Sequence, residues 1–224
     1  MSPDIEPTAD GGTVAVLTSG GLDSAILVAE LIRQGRPVQP IYVRFGLVWE
    51  AVEEEHLRRF LQTLPAPEPV AFEFPIADVY ATHWSISADG IPAADTPDEA
   101  VYLPGRNLLL VAKTAVWCAL HAVPTIALGT LKGNPFADSS REFFAGLESV
   151  VHTGLDWPLQ IVTPFSELTK ADVLELGRGL ALEHTFSCIS PVGDDHCGRC
   201  NKCAERRRAF TALAIEDLTS YATP

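Results

Sequence analysis

Positive charge is scarce in this chain of 224 residues, which has 16 lysine and arginine residues against 29 aspartate and glutamate residues. The net charge is −13. Proteins that bind DNA or RNA neutralise phosphates with lysine and arginine, so this balance argues against a nucleic-acid partner and favours a small-molecule substrate. The densest basic run, Arg206 to Arg208, is interpreted as a solvated helix face.

Long apolar segments are also missing. Residues 1–12 are polar and lack the apolar region of a signal peptide, so we expect a flexible N-terminal lead-in. The most apolar stretch, residues 108–128, is interrupted by Lys113, His121 and Pro124, which is typical of a buried helix and strand rather than a membrane span. We therefore expect a cytoplasmic protein with no membrane partner. A hydrophobic fraction of 47% supports a single domain over residues 13–224.

Cysteine is rare, but four of the five cysteines lie in one short segment, residues 188–203. In a reducing cytosol, clustered cysteines indicate a metal site rather than disulfides. The four thiolates, which suit a closed tetrahedral zinc site, are Cys188, Cys197, Cys200 and Cys203. Gly198 permits a tight turn between two of them, and the neighbouring His196 is interpreted as a bystander. An iron–sulfur cluster is the alternative for this segment, an appendage of the main domain.

The hydrophobic pattern alternates between strand and helix along the chain. The predicted strands are residues 13–17, 38–43, 70–74, 125–128 and 159–162, and the predicted helices are residues 22–32, 49–61, 107–121, 141–151 and 170–179. This alternation predicts an α/β fold with a doubly wound, mostly parallel sheet and helices on both faces. Residues 75–101 have no clear period and are interpreted as a lid over the active site.

The most informative motif lies where the first predicted strand turns into a helix. Its residues are Thr18, Ser19, Gly20, Gly21, Leu22, Asp23 and Ser24. Such a turn directs backbone N–H groups and the positive end of the helix dipole at one point, and glycine lets the backbone approach a phosphate closely. The GK[ST] element of the P-loop and the G-x-G-x-x-G fingerprint are both absent. The plain alternative is an ordinary strand-to-helix turn with a serine cap.

Two further segments place polar residues at predicted helix starts. In residues 102–107, Arg106 and Asn107 precede an apolar helix, where an anion can bind, and the alternative is that Asn107 is only an N-cap. In residues 163–172, Thr169 is predicted to cap a helix and Asp172 suits its first turn. Lys170 is unfavourable for the helix dipole at that position unless it has another role, such as binding phosphate.

The segment 18–24 resembles the SGGxDS motif of PP-loop ATP pyrophosphatases, which cleave ATP between the α and β phosphates. Together with residues 103–107, 168–172 and 187–203, in that order along the chain, it resembles the 7-cyano-7-deazaguanine synthase family, also called QueC. The resemblance spans nearly the whole chain. It implies an adenine nucleotide α-hydrolase-like fold, ATP, Mg²⁺ and Zn²⁺ as cofactors, and a homodimer.

The reaction that this resemblance implies converts 7-carboxy-7-deazaguanine, ammonia and ATP into the 7-cyano compound. The carboxylate attacks ATP to give an acyl-adenylate, ammonia displaces AMP to leave an amide, and a second activation of the amide oxygen gives the nitrile. Residues 18–24 are expected to bind phosphate, and Asp23 to help hold Mg²⁺. Arg106 and Lys170 are the candidates for stabilising developing charge.

Two loops depart from the family pattern. After the second strand the family usually has an aspartate-tyrosine-glycine-glutamine run, whereas residues 44–47 here are Arg-Phe-Gly-Leu. Residues 130–138 are also shorter and different, and they contain Lys132, which is interpreted as an exposed lysine or as a group that binds a carboxylate. These loops follow strands, where substrate is recognised in such folds. Two hypotheses therefore stay open: the deazaguanine nitrile synthase, or a divergent ligase that adenylates another carboxylate.

Two other classes of function are less consistent with the sequence. Sulfur transfer to tRNA needs a free catalytic thiol, and the only remaining cysteine, Cys118, lies in an apolar run and is interpreted as a core residue. A non-catalytic zinc-bearing interaction module does not need an intact phosphate-binding loop, so the motif at residues 18–24 argues against this class. No glycine-rich elbow of a glutaminase surrounds Cys118, so free ammonia or a partner has to supply nitrogen.

Overall fold

The computed structural model describes residues 12–222, and five parallel strands form one sheet within this range. The strands are β1 (Val14–Leu17), β2 (Val38–Arg44), β3 (Val70–Glu73), β4 (Thr125–Ala127) and β5 (Gln160–Val162). Their order in the sheet is β3-β2-β1-β4-β5. The predicted α/β fold is therefore confirmed, and every pairing is parallel. The predicted lead-in lies outside the described residues except for Gly12.

Eight helices connect or follow these strands within the described range. They are α1 (Leu22–Arg33), α2 (Glu50–Leu61), α3 (Ala77–Tyr80), α4 (Trp84–Ser87), α5 (Arg106–Leu120), α6 (Arg141–Leu155), α7 (Lys170–Leu176) and α8 (Asn201–Ala212). Short 3₁₀ turns cover Asp98–Val101, Ala137–Ser139 and Leu182–His184. None of the described helices is long and apolar enough to cross a membrane.

The sheet is buried on both faces, which β1 shows directly. Ala15 and Leu17 belong to one hydrophobic cluster, whereas Val14 and Val16 belong to the other. Since successive side chains of a strand point to opposite faces, the apolar run of β1 fills two separate cores. Helices α5 and α6 contribute to the first cluster, and α1, α2 and α7 contribute to the second. The four clustered cysteines and Cys118 belong to the first cluster, so the prediction of Cys118 as core is confirmed.

The start of α5 corrects one prediction. Asn107 is not the N-cap, because the helix begins at Arg106 and its N-cap is Gly105, in the left-handed region at φ +72°. The Asn107 side chain instead donates a hydrogen bond to the carbonyl oxygen of Asp138 at 3.0 Å. Helix α5 is thereby attached to the loop that follows β4.

Arg206 corrects a second prediction, because it is one of the largest fully buried side chains and not part of a solvated face. Its guanidinium donates hydrogen bonds of 2.8 Å to the hydroxyls of Thr219 and Thr185 and to the carbonyl oxygen of Leu182. Arg208, two residues further on, is exposed. A basic run in sequence therefore contains one structural arginine that joins α8 to two other segments.

Residues 75–101 are ordered and contain α3, α4 and the first 3₁₀ turn. They pack on the cysteine segment, because the backbone N–H of Asn201 donates to Pro92 and the Asn201 side chain donates to the carbonyl of Thr96. Trp84 and Val101 line the same cavity as Ser19 and Asp23. The segment therefore forms a wall of that cavity, and its action as a moving lid stays a prediction.

Candidate active site

A cavity of about 310 Å³ opens at the carboxyl ends of β1 and β4. The strand order reverses between these two strands, since the chain proceeds from β1 through β2 and β3 in one direction and through β4 and β5 in the other. Ligands of doubly wound folds bind at this switch point. The predicted site residues that line the cavity are Thr18, Ser19, Gly21, Leu22, Asp23, Ser24, Arg106 and Lys170.

The phosphate-loop candidate, residues 18–24, is braced by its own side chains. Thr18 donates its hydroxyl to the carbonyl oxygen of Ile41 at 2.9 Å, which anchors the loop to β2. The backbone N–H of Ser19 donates to the hydroxyl oxygen of Ser24 at 3.2 Å, and that hydroxyl donates to the carbonyl of Gly21. These bonds hold the start of α1 in a fixed shape, which suits an anion site at the helix N-terminus.

Gly20 is the one predicted loop residue that does not line the cavity. It has a φ of +70°, and a Cβ atom added there would lie 2.9 Å from the carbonyl oxygen of Glu53. Its carbonyl oxygen accepts a hydrogen bond of 2.7 Å from the backbone N–H of Phe186. Gly20 is therefore needed for close packing of the loop against α2 and the segment that precedes the cysteines.

Asp23 and Lys170 meet at the wall of the cavity, although 147 residues separate them in sequence. The Lys170 ammonium donates to both carboxylate oxygens of Asp23, at 2.9 and 2.8 Å, and lies 3.2 Å from a carboxylate oxygen of Glu205. Thr169 and Asp172 form the predicted capping box at the start of α7. The cap fixes the helix end that carries Lys170, and the ion pairs account for a lysine in the first turn of a helix.

Arg106 brings a guanidinium to the cavity without a protein hydrogen-bond partner on its buried Nε atom. Its neighbour Asn107 is held by Asp138, whose carboxylate also accepts a hydrogen bond from the backbone N–H of Asn107 at 3.1 Å. The helix start is therefore fixed while Arg106 keeps donors for a ligand. Carboxylates and phosphates are the groups that such a guanidinium binds best.

The first turn of α2 forms a wall that sequence reasoning missed. Trp49, Glu50 and Glu53 line the cavity, and the ring of Trp49 stacks on that of Trp84 with centroids 5.6 Å apart. Burial raises the pKa of Glu53 to about 8, and its carboxylate accepts a hydrogen bond of 2.8 Å from the hydroxyl of Tyr42. Two glutamates on a polar surface helix gave no sequence signal, because their burial depends on how α2 packs.

The divergent residues 44–47 are not among those that line the cavity, and they make structural contacts between β2 and α2. Arg44 forms ion pairs with Glu54 and Glu73 at 2.6 and 2.5 Å. Phe45 is buried in the core, and its backbone N–H donates to the carboxylate of Glu50. The family's polar run is thus replaced by structural contacts, and the nearby wall consists of residues from α2.

The second divergent loop, residues 130–138, contributes some of its residues to the cavity. Thr130, Phe136 and Asp138 line it, and the ring of Phe136 stacks on Tyr102 with centroids 5.0 Å apart. Lys132 is exposed and is not among the residues that line the cavity. The aromatic pair borders the cavity on the side of Arg106.

The four clustered cysteines meet as predicted, since their sulfur atoms all lie within 4.8 Å of one another. The Sγ atoms of Cys188 and Cys200 are 3.9 Å apart, as are those of Cys197 and Cys203. A tetrahedral ion with metal–sulfur bonds of about 2.3 Å requires sulfur separations of about 3.8 Å. Gly198 has the predicted turn conformation with φ +76°. The cluster therefore fits one metal ion.

The cysteine segment is joined to the phosphate loop by short contacts. Phe186 donates to Gly20, as described above, and the ring of Phe186 packs on His196 with centroids 4.5 Å apart. His196 is buried, which lowers its pKa to about 3, and its Nε2 accepts a hydrogen bond from the backbone N–H of Ser187. His196 is not part of the metal-binding group among the described residues.

Comparison with known proteins identifies the family of this chain. A family model described as queuosine biosynthesis protein QueC matches residues 13–214. The chain belongs to the QueC family. The match includes the phosphate-loop candidate, both divergent loops and all four clustered cysteines. The resemblance inferred from the sequence motifs is therefore confirmed.

Several curated relatives are named 7-cyano-7-deazaguanine synthase. The relative from Solidesulfovibrio magneticus is 28% identical and aligns over 92% of this chain and 94% of its own length. The one from Methanopyrus kandleri is 29% identical, over 93% of this chain and 98% of its own length. The one from Frankia casuarinae is 29% identical, over 92% and 95%. The similarity to QueC proteins therefore extends over nearly the whole of each chain.

Two solved structures share the fold. The U34-tRNA thiolase NcsA from Methanococcus maripaludis, solved with an iron–sulfur cluster, has a TM-score of 0.51 at 14% identity and aligns over 93% of this chain and 74% of that one. A 4-thiouridine synthetase, solved with RNA and ATP, has a TM-score of 0.53 at 15% identity, over 93% of this chain and 52% of that one. At such identities the similarity concerns the fold alone.

Proposed function

We propose that this protein is an ATP-dependent 7-cyano-7-deazaguanine synthase, a ligase that forms carbon–nitrogen bonds in queuosine biosynthesis. The observation that carries the proposal is the cavity at the switch point of a QueC-family chain, where the loop 18–24, Arg106 and Lys170 converge. The relatives named for this activity support the same conclusion. The cytoplasmic location and the single domain over residues 13–224 stay predictions.

The proposed chemistry uses two molecules of ATP for each nitrile. The substrate carboxylate attacks the α-phosphorus and releases pyrophosphate, giving an acyl-adenylate. Ammonia adds to the acyl carbon and AMP leaves with its oxygen, which yields the amide after loss of a proton. The amide oxygen attacks the α-phosphorus of a second ATP and releases a second pyrophosphate, and AMP then leaves with that oxygen while the two amide protons are lost, which gives the nitrile. The protein orients the reactants and stabilises negative charge on phosphate.

The phosphate loop, Arg106 and Lys170 have separate roles in this proposal. The backbone N–H groups at the start of α1 bind phosphate oxygens, within the loop that Ser19 and Ser24 brace. Arg106 binds the developing negative charge, because its Nε lacks a protein partner. Lys170 contributes positive charge beside the phosphate loop and holds Asp23 in place, since its ammonium donates to both carboxylate oxygens.

Both implied metals have suitable ligands. Asp23 offers a carboxylate at the cavity wall, and Mg²⁺ bound there with the phosphates would neutralise their charge. We assign Zn²⁺ to the cysteine cluster, because four sulfur atoms within 4.8 Å of one another, with two pairs 3.9 Å apart, match the tetrahedral spacing of one ion. An iron–sulfur cluster spreads its cysteines over several irons, and the close spacing favours the single ion. We keep ammonia as the nitrogen donor.

One observation favours the second candidate, a ligase for a different carboxylate. Residues 44–47, which differ from the family pattern, precede a cavity wall formed by Trp49 and by Glu50 and Glu53 of α2. These side chains have the chemistry to read a planar, donor-rich ring, but the same walls also suit another aromatic carboxylate. The two candidates share the adenylation step and differ only in the substrate.

We also propose a homodimer. Helices α5 and α6 pack against each other and carry five of the ten large apolar side chains that are exposed in the described range. These are Leu108, Val116, Leu120, Val150 and Leu155. A concentration of exposed apolar side chains on one pair of packed helices is typical of an interaction site. A second copy of the chain is its simplest partner.

The test is a product assay with the metal-loaded protein, ATP, Mg²⁺, ammonium and 7-carboxy-7-deazaguanine, followed by mass spectrometry. We expect the nitrile, with two AMP and two pyrophosphate formed for each nitrile. Asp23→Asn should reduce the rate about 100-fold, because charge stabilisation at the phosphates contributes on that order. Asp78→Asn, on the exposed helix α3, is the matched control and should keep the wild-type rate.

If the amide is the only product, the enzyme carries out the first adenylation and not the second. Adenylation of other aromatic carboxylates, but not of the deazapurine, would replace the first candidate with the second. If the protein exchanges labelled pyrophosphate into ATP with none of these acids, the ligase proposal is wrong.

A further inference from the structure

We propose that helix α8 of the cysteine segment supplies a phosphate-binding residue, Lys202, to the ATP site, and that Glu205 on the same helix positions it. The inference rests on the proposed ATP-dependent function and adds a residue that the motifs of the chain do not identify. It also gives the metal site a second role, because the cysteines that bind the metal fix the helix that carries Lys202.

The cysteine cluster determines where Lys202 lies. Cys200 is the N-cap of α8 and Cys203 lies within its first turn, so the metal cluster holds both sides of Lys202. Lys202 lines the same cavity as Asp23 and Lys170. Residues three apart share one side of a helix, which places Glu205 next to Lys202.

Four charged side chains form a continuous network along this wall. Lys202 pairs with one carboxylate oxygen of Glu205, and the other oxygen of Glu205 lies 3.2 Å from the Lys170 ammonium. Lys170 also donates to both oxygens of Asp23 in the phosphate loop. The network therefore connects the metal-bound helix with the loop that is proposed to bind ATP.

The two lysines differ in how many donors they retain. Lys170 contacts two oxygens of Asp23 and one of Glu205, which accounts for the three donors of an ammonium group. In the part of the chain that the structure describes, Glu205 is the polar partner of Lys202, whose side chain is 32% exposed. Lys202, which lines the cavity, therefore keeps donors for a ligand.

The charge of the network explains why a further cation is useful. Without Lys202, the single ammonium of Lys170 would face the two carboxylates of Asp23 and Glu205, and this wall would carry a net negative charge that repels a polyphosphate. The Lys202 ammonium balances the second carboxylate. An ammonium with unused donors binds phosphate through charge-assisted hydrogen bonds. Glu205 holds Lys202 at the wall, where it can reach a phosphate without first losing side-chain freedom.

The experiment measures dissociation constants of the metal-loaded full chain for Mg·pyrophosphate, Mg·ATP and adenosine by isothermal titration calorimetry. We expect Lys202→Met to weaken Mg·pyrophosphate and Mg·ATP about tenfold, as for loss of one charge-assisted hydrogen bond, and to leave adenosine unchanged. Lys202→Arg should retain most of the affinity. Arg208→Met, which removes an exposed positive charge from the same helix, should change each constant less than about twofold.

Glu205→Gln tests the positioning role, because a charge effect and a positioning effect would change the affinity for pyrophosphate in opposite directions. Removal of a carboxylate near a phosphate tightens binding if only charge matters, whereas loss of the group that holds Lys202 and Lys170 weakens it. We expect Mg·pyrophosphate to bind about threefold more weakly. Tighter binding would overturn the positioning role of Glu205.

Unchanged pyrophosphate affinity in Lys202→Met would overturn the proposal, and so would an equal loss of adenosine affinity, which would indicate a general disturbance of the fold. The result is separable from the proposed reaction. If the wild-type protein makes no nitrile but the Lys202→Met variant binds pyrophosphate more weakly, the proposed substrate is wrong and this inference is supported. A wild-type protein that binds neither ATP nor pyrophosphate would refute both.

Discussion

At the residue scale, the two glycines of the phosphate loop have different surroundings. Gly20 has a φ of +70° and would place a Cβ atom 2.9 Å from the backbone of α2. Gly21 has a φ of −74°, and its Cβ atom would lie 3.4 Å from the Ser19 hydroxyl, in ordinary contact. Gly21 lines the cavity, whereas Gly20 does not. Gly20 is therefore required for packing against α2, whereas Gly21 leaves room for the ligand in the cavity.

Alanine substitution should separate these roles. We expect Gly20→Ala to lower the free energy of unfolding by about 1–3 kcal/mol, because it combines left-handed backbone strain with a close contact. Gly21→Ala should change it by less than about 0.5 kcal/mol and should weaken ATP binding, because a methyl group would stand at the cavity wall. Urea unfolding and calorimetric ATP titration measure the two effects. Equal destabilisation by both variants would contradict this assignment.

At the scale of elements, the cysteine segment does more than hold a metal. Helix α8 carries Lys202 and Glu205 on the side of the cavity and Arg206 into the interior. The Arg206 guanidinium connects the helix to the turn at Leu182 and to the C-terminal Thr219. A solvated face was the wrong interpretation, because the segments that cover Arg206 are distant in sequence.

Replacement of Arg206 should destabilise the metal-loaded protein strongly. We expect Arg206→Met to lower the free energy of unfolding by about 3 kcal/mol, since it removes the buried hydrogen bonds from the guanidinium to the Thr185 and Thr219 hydroxyls and to the Leu182 carbonyl oxygen. Arg208→Met is the control and should be nearly neutral, because its side chain is exposed. Urea unfolding in the presence of zinc gives both values. A loss below about 1 kcal/mol for Arg206→Met would show that water replaces the lost donor.

At the scale of the whole molecule, the two faces of the sheet bear different surfaces. The face with α5 and α6 presents most of the exposed apolar helix residues, and the cavity opens at the carboxyl ends of β1 and β4. Helix α1, which follows the phosphate loop, packs in the other hydrophobic cluster, so an interface through the outer surfaces of α5 and α6 would not cover it. Dimerisation is therefore compatible with access of ATP.

The proposed dimer can be tested with two variants, each of which introduces one negative charge at an equally exposed position. Leu120 and Val79 are both 77% exposed, but only Leu120 lies on α5. We expect Leu120→Glu to convert the dimer to a monomer at micromolar concentrations and Val79→Glu to leave it intact, because a stable interface requires a specific apolar patch. Sedimentation velocity measures the mass. A wild-type protein that sediments as a monomer would refute the homodimer.

The sequence by itself determined the fold class, the phosphate-loop candidate and the cysteine cluster, because each depends on local spacing. Apolar runs of strand length, the turn at residues 18–24 and the intervals between Cys188 and Cys203 are all readable along the chain. The capping box of Thr169 and Asp172 was equally local. Strand ends were predicted to within about one residue for this reason.

Only the tertiary structure decided which polar residues face the cavity. Asp23 and Lys170 were separate candidates until α1 and α7 brought them into contact, and Glu53 and Lys202 gave no sequence signal at all. A charged side chain on a helix is normally solvated, and its burial depends on neighbours that are distant in sequence. The loop 18–24 could therefore be predicted from local spacing, whereas the charged groups around it were placed by packing.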